Sequence, residues 1–209
     1  MKTQLFASLL IASAATWMTG CSNPADDVVE ADVTQAKKTQ SVVDAPGTTY
    51  TLSVDSKIEF TGSKVTGSQS GGFNRFTGSF QVENGAILAT GTSFEIDMDS
   101  TWSDSQRLTG HLKSPDFFDV ASFPSSTFEA TAIEKSGNEF NVTGNFKLHG
   151  ISKSITFPAT INVTSSGLTM NAEFFIKRND FDIVYPGKPN DLIRNEVVIR
   201  LDIKAAPSA

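Results

Sequence analysis

Apolar and polar residues alternate along most of the chain from Thr48 onward, which is typical of strands with one buried and one solvated face. The alternation is clear in residues 76–82, where Phe76, Phe80 and Val82 share one face and polar side chains occupy the other. The same pattern recurs through residues 140–148, 155–163, 168–176 and 197–203. It predicts about nine strands between residues 48 and 204.

Short turn motifs separate these segments, including Asn84-Gly85, His149-Gly150 and the Ser-Ser-Gly at 165–167. Two-residue and three-residue connections join neighbouring antiparallel strands. We therefore expect an all-β fold in which one antiparallel sheet closes into a barrel.

One helical insert is expected near residues 103–120. Ser103 and Gln106 have the spacing of a capping box. Leu108 and Leu112 follow at i and i+4, and Pro115 ends the helix.

The first 20 residues have the pattern of a signal peptide, with Lys2 before an apolar run that is too short to span a bilayer. The run ends in Met18-Thr19-Gly20-Cys21, which resembles the lipobox of bacterial lipoproteins. This resemblance implies that Cys21 is the site of lipid attachment, and Ser22 after it implies an outer-membrane anchor on the periplasmic face of the envelope. The alternative is ordinary signal-peptide cleavage near Ala14-Ala15.

Residues 21–47 contain no aromatic side chain and have dispersed charges. Low hydrophobicity of this kind predicts a flexible tether. The globular domain is then expected to occupy residues 48–206.

Composition excludes several classes of chemistry. The net charge is −6, so a nucleic-acid partner is not expected. The single Cys rules out an internal disulfide and a Cys-cluster metal site, and two separated His residues argue against zinc. We expect no metal and no cofactor. The 16 Phe residues fit a solid core as well as a ligand cavity, so composition leaves those two alternatives open.

Three ordered segments resemble the YceI-like family. They are HLKSPDFFDV at 111–120 with Phe123-Pro124 after it, GNFKLHGISK at 144–153, and the glycine-rich hairpin at 67–78. Gln69 and Ser152 depart from the family pattern, which has His and Thr at these places. The resemblance implies a lipocalin-like, extended antiparallel barrel whose apolar bore binds a polyisoprenoid lipid or quinone, as a carrier or storage protein rather than an enzyme.

The bore is expected to be lined by inward-facing apolar side chains, with one of the adjacent residues Phe117 and Phe118 inside and the other packed outward. His111 is the candidate for a ligand head group, and the alternative is that it ties the helical insert to a strand. Asp116 and Asp119 are expected to cap local backbone, and His149 to stabilise its turn. The full set of candidate bore residues is Phe80, Phe94, Ile96, Phe117, Phe118, Phe128, Phe146, Phe157, Phe174 and Ile176.

Two other functions stay open. A hydrolase could use Ser103 and His111, although the sequence contains no G-x-S-x-G motif. A periplasmic interaction or stress module could use the polar outer face of the barrel. A homodimer also stays open. Neither alternative requires a lipid in the bore.

Overall fold

The computed structural model describes residues 23–37 and 46–208. These residues form strands and one α-helix, with 3-10 turns at Met98–Ser100 and Arg178–Phe181. The elements are β1 (Asp32–Gln35), β2 (Thr48–Leu52), β3 (Lys57–Lys64), β4 (Gly67–Phe73), β5 (Phe76–Glu83), β6 (Ala86–Asp97), β7 (Thr101–Ser103), α1 (Gln106–Leu112), β8 (Ser125–Ser136), β9 (Glu139–Leu148), β10 (Ile151–Thr164), β11 (Gly167–Lys177), β12 (Gly187–Lys188) and β13 (Asp191–Pro207).

The sheet closes into an eight-stranded antiparallel barrel with one short helix, which confirms the predicted fold. Three wall strands are interrupted, so that β2 continues into β3, β4 into β5, and β6 into β7. The remaining wall strands are β8, β9, β10, β11 and β13, and β13 pairs with both β2 and β3 to complete the ring.

The interruptions explain why the sequence predicts nine strands and the wall has eight. The alternation stops at the turn of residues 53–56, where Ser56 N donates to Ser53 O at 3.1 Å. On both sides of that turn the chain keeps the same neighbour, β13. The break in the alternation at residues 53–56 therefore marks a kink within one wall strand and not a boundary between two wall strands.

The helical insert lies where it was predicted, but its N-cap is Ser105 and not Ser103. The Ser105 backbone is extended, and its Oγ accepts a hydrogen bond from Leu108 N at 3.4 Å. Ser103 remains the last residue of β7, and its hydroxyl donates to Ser105 O at 2.7 Å. Thus α1 starts two residues later than the capping-box spacing indicates.

Residues 29–35 lie in the barrel wall, which differs from the flexible tether expected for this part of segment 21–47. β10 pairs with β11 only through Thr160–Thr164, so residues 151–159 of β10 are not paired with β11. The chain fills the gap: Ala31 N donates to Phe175 O at 2.9 Å, and β1 pairs with residues 153–156 of β10. Residues 21, 22 and 38–45, together with the predicted signal peptide 1–20, lie outside the described residues.

The apolar alternation within this segment is only two residues long, which is why the sequence did not reveal a strand. Ala31 is buried in the core and Val33 packs against it, whereas Asp32 and Thr34 are on the outer side. The barrel supplies the hydrogen-bond partners of this short strand through β10 and its packing partners through the core.

The two ends of the barrel differ. At the lower end, where residues 84–85 and 165–166 form turns, the interior is filled by buried side chains such as Phe80 and Leu168. Tyr50 Oη donates to Thr164 O at 2.9 Å across this end. The upper end is covered by α1 and by the connection of residues 178–190. Open space in the interior lies between these two ends.

Candidate functional site

The bore contains two adjoining apolar cavities. The lower cavity, of about 90 Å³, is lined only by Ile, Leu, Met and Phe side chains. The upper cavity, of about 120 Å³, lies beneath α1 and the loop that follows it. The two cavities lie next to each other along the bore, because Phe73, Ile96, Phe146, Ile176 and Ile199 line both of them.

Nine of the ten residues predicted to line the bore do so. The lower cavity is lined by Phe94, Ile96, Phe128, Phe146, Phe157, Phe174 and Ile176. Phe117 and Phe118 line the upper cavity. The strand register explains these positions, because alternate residues of each wall strand point to the same side of the sheet.

Phe80 lines neither of these two cavities. Its side chain is fully buried in the filled lower end, with its ring 5.2 Å from that of Phe94. Phe80 has the correct inward register, but register gives the direction of a side chain and not its height in the barrel.

Phe117 and Phe118 both contribute to the lining of the upper cavity, but their rings have different neighbours. The Phe118 ring packs against Phe60 and Phe73 of the barrel wall, whereas the Phe117 ring packs against His111 and Tyr185 at the upper end. They follow α1 in a loop, where Phe117 N donates to Ser114 O and Phe118 N donates to Leu112 O. Strand alternation does not apply to this backbone.

Several Phe rings lie over glycines of the neighbouring strand. Phe60 is paired with Gly71, and Phe94 with Gly78. A Cβ atom at Gly71 would lie 2.6 Å from the Phe60 ring, and one at Gly78 would lie 2.7 Å from the Phe94 ring. Glycine at these places lets each ring lie along the wall, which leaves space at the centre of the bore.

A surface cleft reaches the same region from outside. It has a volume of about 870 Å³ and follows the kinks at residues 53–56 and 74–75, between which the wall strands are unpaired. Ile58 and Phe73 line both this cleft and the lower cavity. These two side chains therefore lie between the cleft and the lower cavity at this interruption of the wall.

His111 lies at the upper end, outside both cavity linings. Its Nε2 is 2.7 Å from Asp116 Oδ2, and its ring packs at 4.9 Å from Phe117 and 5.0 Å from Tyr185. Tyr185 belongs to the connection between β11 and β13. These contacts tie the helical insert to that connection.

The other polar candidates have local partners. Ser103 Oγ is bonded to Ser105 O and lies 3.0 Å from Thr109 Oγ1, and it has no hydrogen bond to His111. Asp119 has a left-handed backbone, and its carbonyl accepts from the N–H groups of the turn that follows. His149 occupies its turn with Nδ1 3.2 Å from Phe181 O.

Two arginines of the upper cavity were missed by sequence reasoning. Arg178 and Arg194 are its only charged lining residues. The Arg178 side chain is 7% exposed, and it donates to the carbonyl oxygens of Ile183, Ile193 and Arg194. Burial lowers the pKa of Arg178 from its usual value. Arg178 could have been found from the register, since it continues the inward positions Phe174 and Ile176.

Within residues 23–37 and 46–208, no helix is long and apolar enough to cross a bilayer. The same residues contain no group of three or more His, Cys, Asp or Glu side chains placed to hold a metal ion.

Residues 50–205 match the YceI-like domain family. The chain belongs to the YceI-like family. Among its relatives, a UPF0312 protein of Pseudomonas putida strain W619 is 30% identical over 136 residues, which are 62% of this chain and 71% of that protein. The YceI protein of Salmonella newport is 33% identical over 91 residues, covering 44% of this chain and 48% of the relative.

Solved YceI-like barrels have the same fold. Burkholderia cenocepacia BcnA superimposes with a TM-score of 0.64 at 25% identity, covering 74% of this chain and all of BcnA. A polyisoprenoid binding domain from Saccharophagus degradans superimposes with a TM-score of 0.62 at 15% identity, covering 76% of this chain and 98% of that domain. At this low identity the second similarity shows the fold alone.

Proposed function

We propose that this YceI-like protein binds a long apolar lipid of the polyisoprenoid or quinone type in its bore, as a carrier or storage protein without catalytic activity. The observation that supports this most directly is the pair of adjoining cavities with apolar surfaces in the bore. The Saccharophagus relative is described as a polyisoprenoid binding domain, which supports the same ligand class.

The energy of binding would come from contact along the tail. Each buried CH₂ contributes about 0.8 kcal/mol. Each cavity is smaller than the roughly 150 Å³ apolar cavity that holds one benzene molecule. A long chain therefore requires the half-buried rings of Phe94 and Phe146 to rotate away from the axis.

Native mass spectrometry of the purified full-length protein, followed by organic extraction, tests this proposal. A bound apolar chain that copurifies with the protein is the expected result. Protein that carries no lipid, and that also fails to take up ubiquinone or geranylgeraniol added in detergent, would contradict it and would favour the interaction-module alternative.

Gly62 offers a variant that closes the bore. It lines the upper cavity, and a Cβ atom there has no neighbour within 4 Å, so Gly62→Leu places its side chain in open space. Lipid uptake should be lost with little change in melting temperature. Gly110→Leu is the matched control, because Gly110 is exposed on α1 and a Cβ atom there also meets nothing.

We also propose that the protein is anchored to the periplasmic face of the bacterial outer membrane by acylation of Cys21. The support is the apolar run that ends at Gly20-Cys21 and the Ser22 that follows. Several acyl chains would hold the protein firmly, whereas a single chain binds only marginally. Labelling cells with palmitate should mark the wild type and leave Cys21→Ala unmarked, and persistent label in that variant would contradict acylation at this residue.

A further inference from the structure

Two large apolar side chains are exposed side by side at the upper end of the barrel. Val65, in the turn between β3 and β4, is 54% exposed, and Leu192, near the start of β13, is 50% exposed. Their backbones are in direct contact, because Val65 N donates to Leu192 O at 3.2 Å. A single exposed apolar residue is ordinary on a protein surface, so the surroundings of this pair decide what it indicates.

Asn23 lies beside this pair. Ser63, which precedes Val65 by two residues, donates from its Oγ to Asn23 Oδ1 at 3.5 Å. Asn23 is also part of a tight turn, in which its carbonyl oxygen accepts from Asp26 N at 3.0 Å and its Oδ1 accepts from Ala25 N at 3.2 Å. Ala25 is buried. The turn that starts at Asn23 is therefore packed against the upper end of the barrel.

Asn23 follows the proposed acylation site closely along the chain. Only Ser22 separates it from Cys21. Two residues of fully extended chain span at most about 7 Å, so a bilayer that holds acyl chains on Cys21 must lie close to Asn23. The sequence predicts a spacer over residues 21–47, but residues 29–35 of that segment lie in the barrel wall. Ser22 is then the whole spacer between the anchor and the described part of the barrel.

The charges beside the exposed pair are compatible with a phospholipid surface. The Lys64 ammonium group pairs with the Asp191 carboxylate, so these two neighbours together carry no net charge. Lys188, exposed on the hairpin that pairs with the start of β13, forms no ion pair within residues 23–37 and 46–208. A free cation next to apolar side chains suits the anionic head groups of a membrane surface.

From this arrangement we propose that the upper end of the barrel docks on the phospholipid surface to which Cys21 is anchored, with Val65 and Leu192 inserted between the lipid head groups. The inference rests on the proposed acylation of Cys21 and adds the orientation of the barrel. Apolar side chains leave water when they enter the boundary between head groups and acyl chains. The upper cavity then lies on the membrane side, and the turns at 84–85 and 165–166 face away from the membrane.

A fluorescent label at single sites tests this orientation. Cys21 is the only Cys of the chain and its thiol is occupied by acylation, so a Cys introduced elsewhere takes the label alone. Val65→Cys and Leu192→Cys place the label at the upper end, and Ser165→Cys places it in the exposed lower turn as the matched control. Each acylated full-length protein is inserted from detergent into preformed vesicles of phosphatidylethanolamine and phosphatidylglycerol. Quenching of an environment-sensitive dye by iodide is then measured.

On vesicles, we expect iodide to quench the labels at positions 65 and 192 about threefold less than the label at position 165, because lipid excludes the ion. Val65→Asp, added to the protein labelled at position 192, should remove most of this protection, since a carboxylate is unfavourable among lipid chains. Val54→Asp is the matched control. Val54 is fully exposed in the kink at residues 53–56, so this change should leave the protection intact.

The outcomes separate docking from anchoring. If mass spectrometry finds acyl chains on Cys21 but iodide reaches all three labels equally, the anchor stands and the docking is overturned. If Val65→Asp has no more effect than Val54→Asp, the assigned contact surface is wrong. A protein that carries no acyl chain on Cys21 would overturn the proposed anchor and this inference with it.

Discussion

The ring of Phe128 lies directly over Gly144 of the neighbouring strand. A Cβ atom at Gly144 would be 2.3 Å from Phe128 Cζ and 2.6 Å from the carbonyl oxygen of Glu129. Phe128 also lines the lower cavity. The missing side chain of Gly144 therefore sets how far this ring projects into the bore.

Gly144→Ala should push the Phe128 ring toward the bore axis and narrow the bore. Overpacking of this kind costs about 1–3 kcal/mol, so the free energy of unfolding should fall, and lipid affinity should fall with it. Denaturant titration and lipid binding measure the two effects. Gly62→Ala is the control, because the added methyl group there meets open space. Equal behaviour of the two variants would show that ring position does not depend on Gly144.

Phe80 and Phe146 should respond differently to truncation. Phe80 is fully buried in the filled end of the barrel, so Phe80→Ala should cost the roughly 3–5 kcal/mol of a close-packed aromatic residue. Phe146 faces both cavities, and Phe146→Ala should cost the empty protein less while weakening lipid binding. Chemical denaturation without lipid, followed by affinity measurements, compares them. Similar large losses of stability would mean that the bore is a solid core.

The sequence pattern could predict the barrel because its wall strands are long and bury one face each. Residues 168–176, for example, place five apolar side chains on one side, and all of them lie in or against the core. Phe80 and Phe174 have the same inward pattern, yet only Phe174 lines a cavity. How much of a barrel interior is filled depends on how rings from different strands pack together. The alternation of apolar and polar residues along the sequence gives no information on that packing.

The polar part of the site was harder to predict. Arg178 follows Phe174 and Ile176 in register, but a charged residue after a strand is usually read as the start of a surface turn. The 3-10 turn at Arg178–Phe181 brings the side chain back beneath the carbonyl groups of residues 183, 193 and 194. Those partners depend on a connection whose path the sequence does not specify.

Acid should weaken one end of the barrel through Asp191. Its carboxylate accepts hydrogen bonds from Lys64 Nζ and from Thr66 Oγ1, which hold the β3–β4 turn against β13. The hydrogen bond from Lys64 lowers the pKa of Asp191 below its usual value. A carboxyl group whose pKa is lower in the folded state stabilises the fold above its unfolded pKa, and this contribution is lost as the pH falls through the folded pKa.

We therefore expect the melting temperature of the wild type to decrease between about pH 5 and about pH 2, and Asp191→Asn to show a smaller decrease. Near pH 5 the variant should be the less stable protein, and the difference should shrink as the pH falls. Asp55→Asn, which changes an exposed carboxyl group without a described ion pair, should follow the wild type. Parallel curves for Asp191→Asn and the wild type would exclude this contribution.

Removal of residues 23–45 should destabilise the barrel, because residues 29–35 fill the wall between β10 and β11. Besides the β1 pairing, Lys37 and Asn145 exchange two hydrogen bonds of 2.8 and 2.6 Å, and Lys177 Nζ lies 2.6 Å from Glu30 Oε1. Several hydrogen bonds of about 1 kcal/mol each would be lost. A chain that begins at Pro46 should melt roughly 10 °C below one that begins at Asn23, which corresponds to about 3 kcal/mol for a domain of this size.

Point substitutions distinguish a wall strand from a segment that only covers the surface. Val33 packs against the core opposite Ile155, whereas Thr34 is exposed beside it. Val33→Asp buries a carboxylate in an apolar environment and should reproduce much of the loss, while Thr34→Asp should change the melting temperature little. If both variants and the shortened chain have the same melting temperature as the protein that begins at Asn23, residues 23–37 contribute no stability. A large loss of stability confined to Val33→Asp and the shortened chain would establish β1 as part of the barrel wall. In a wall strand, an added carboxylate is unfavourable at the inward-facing position 33 and is tolerated at the exposed position 34.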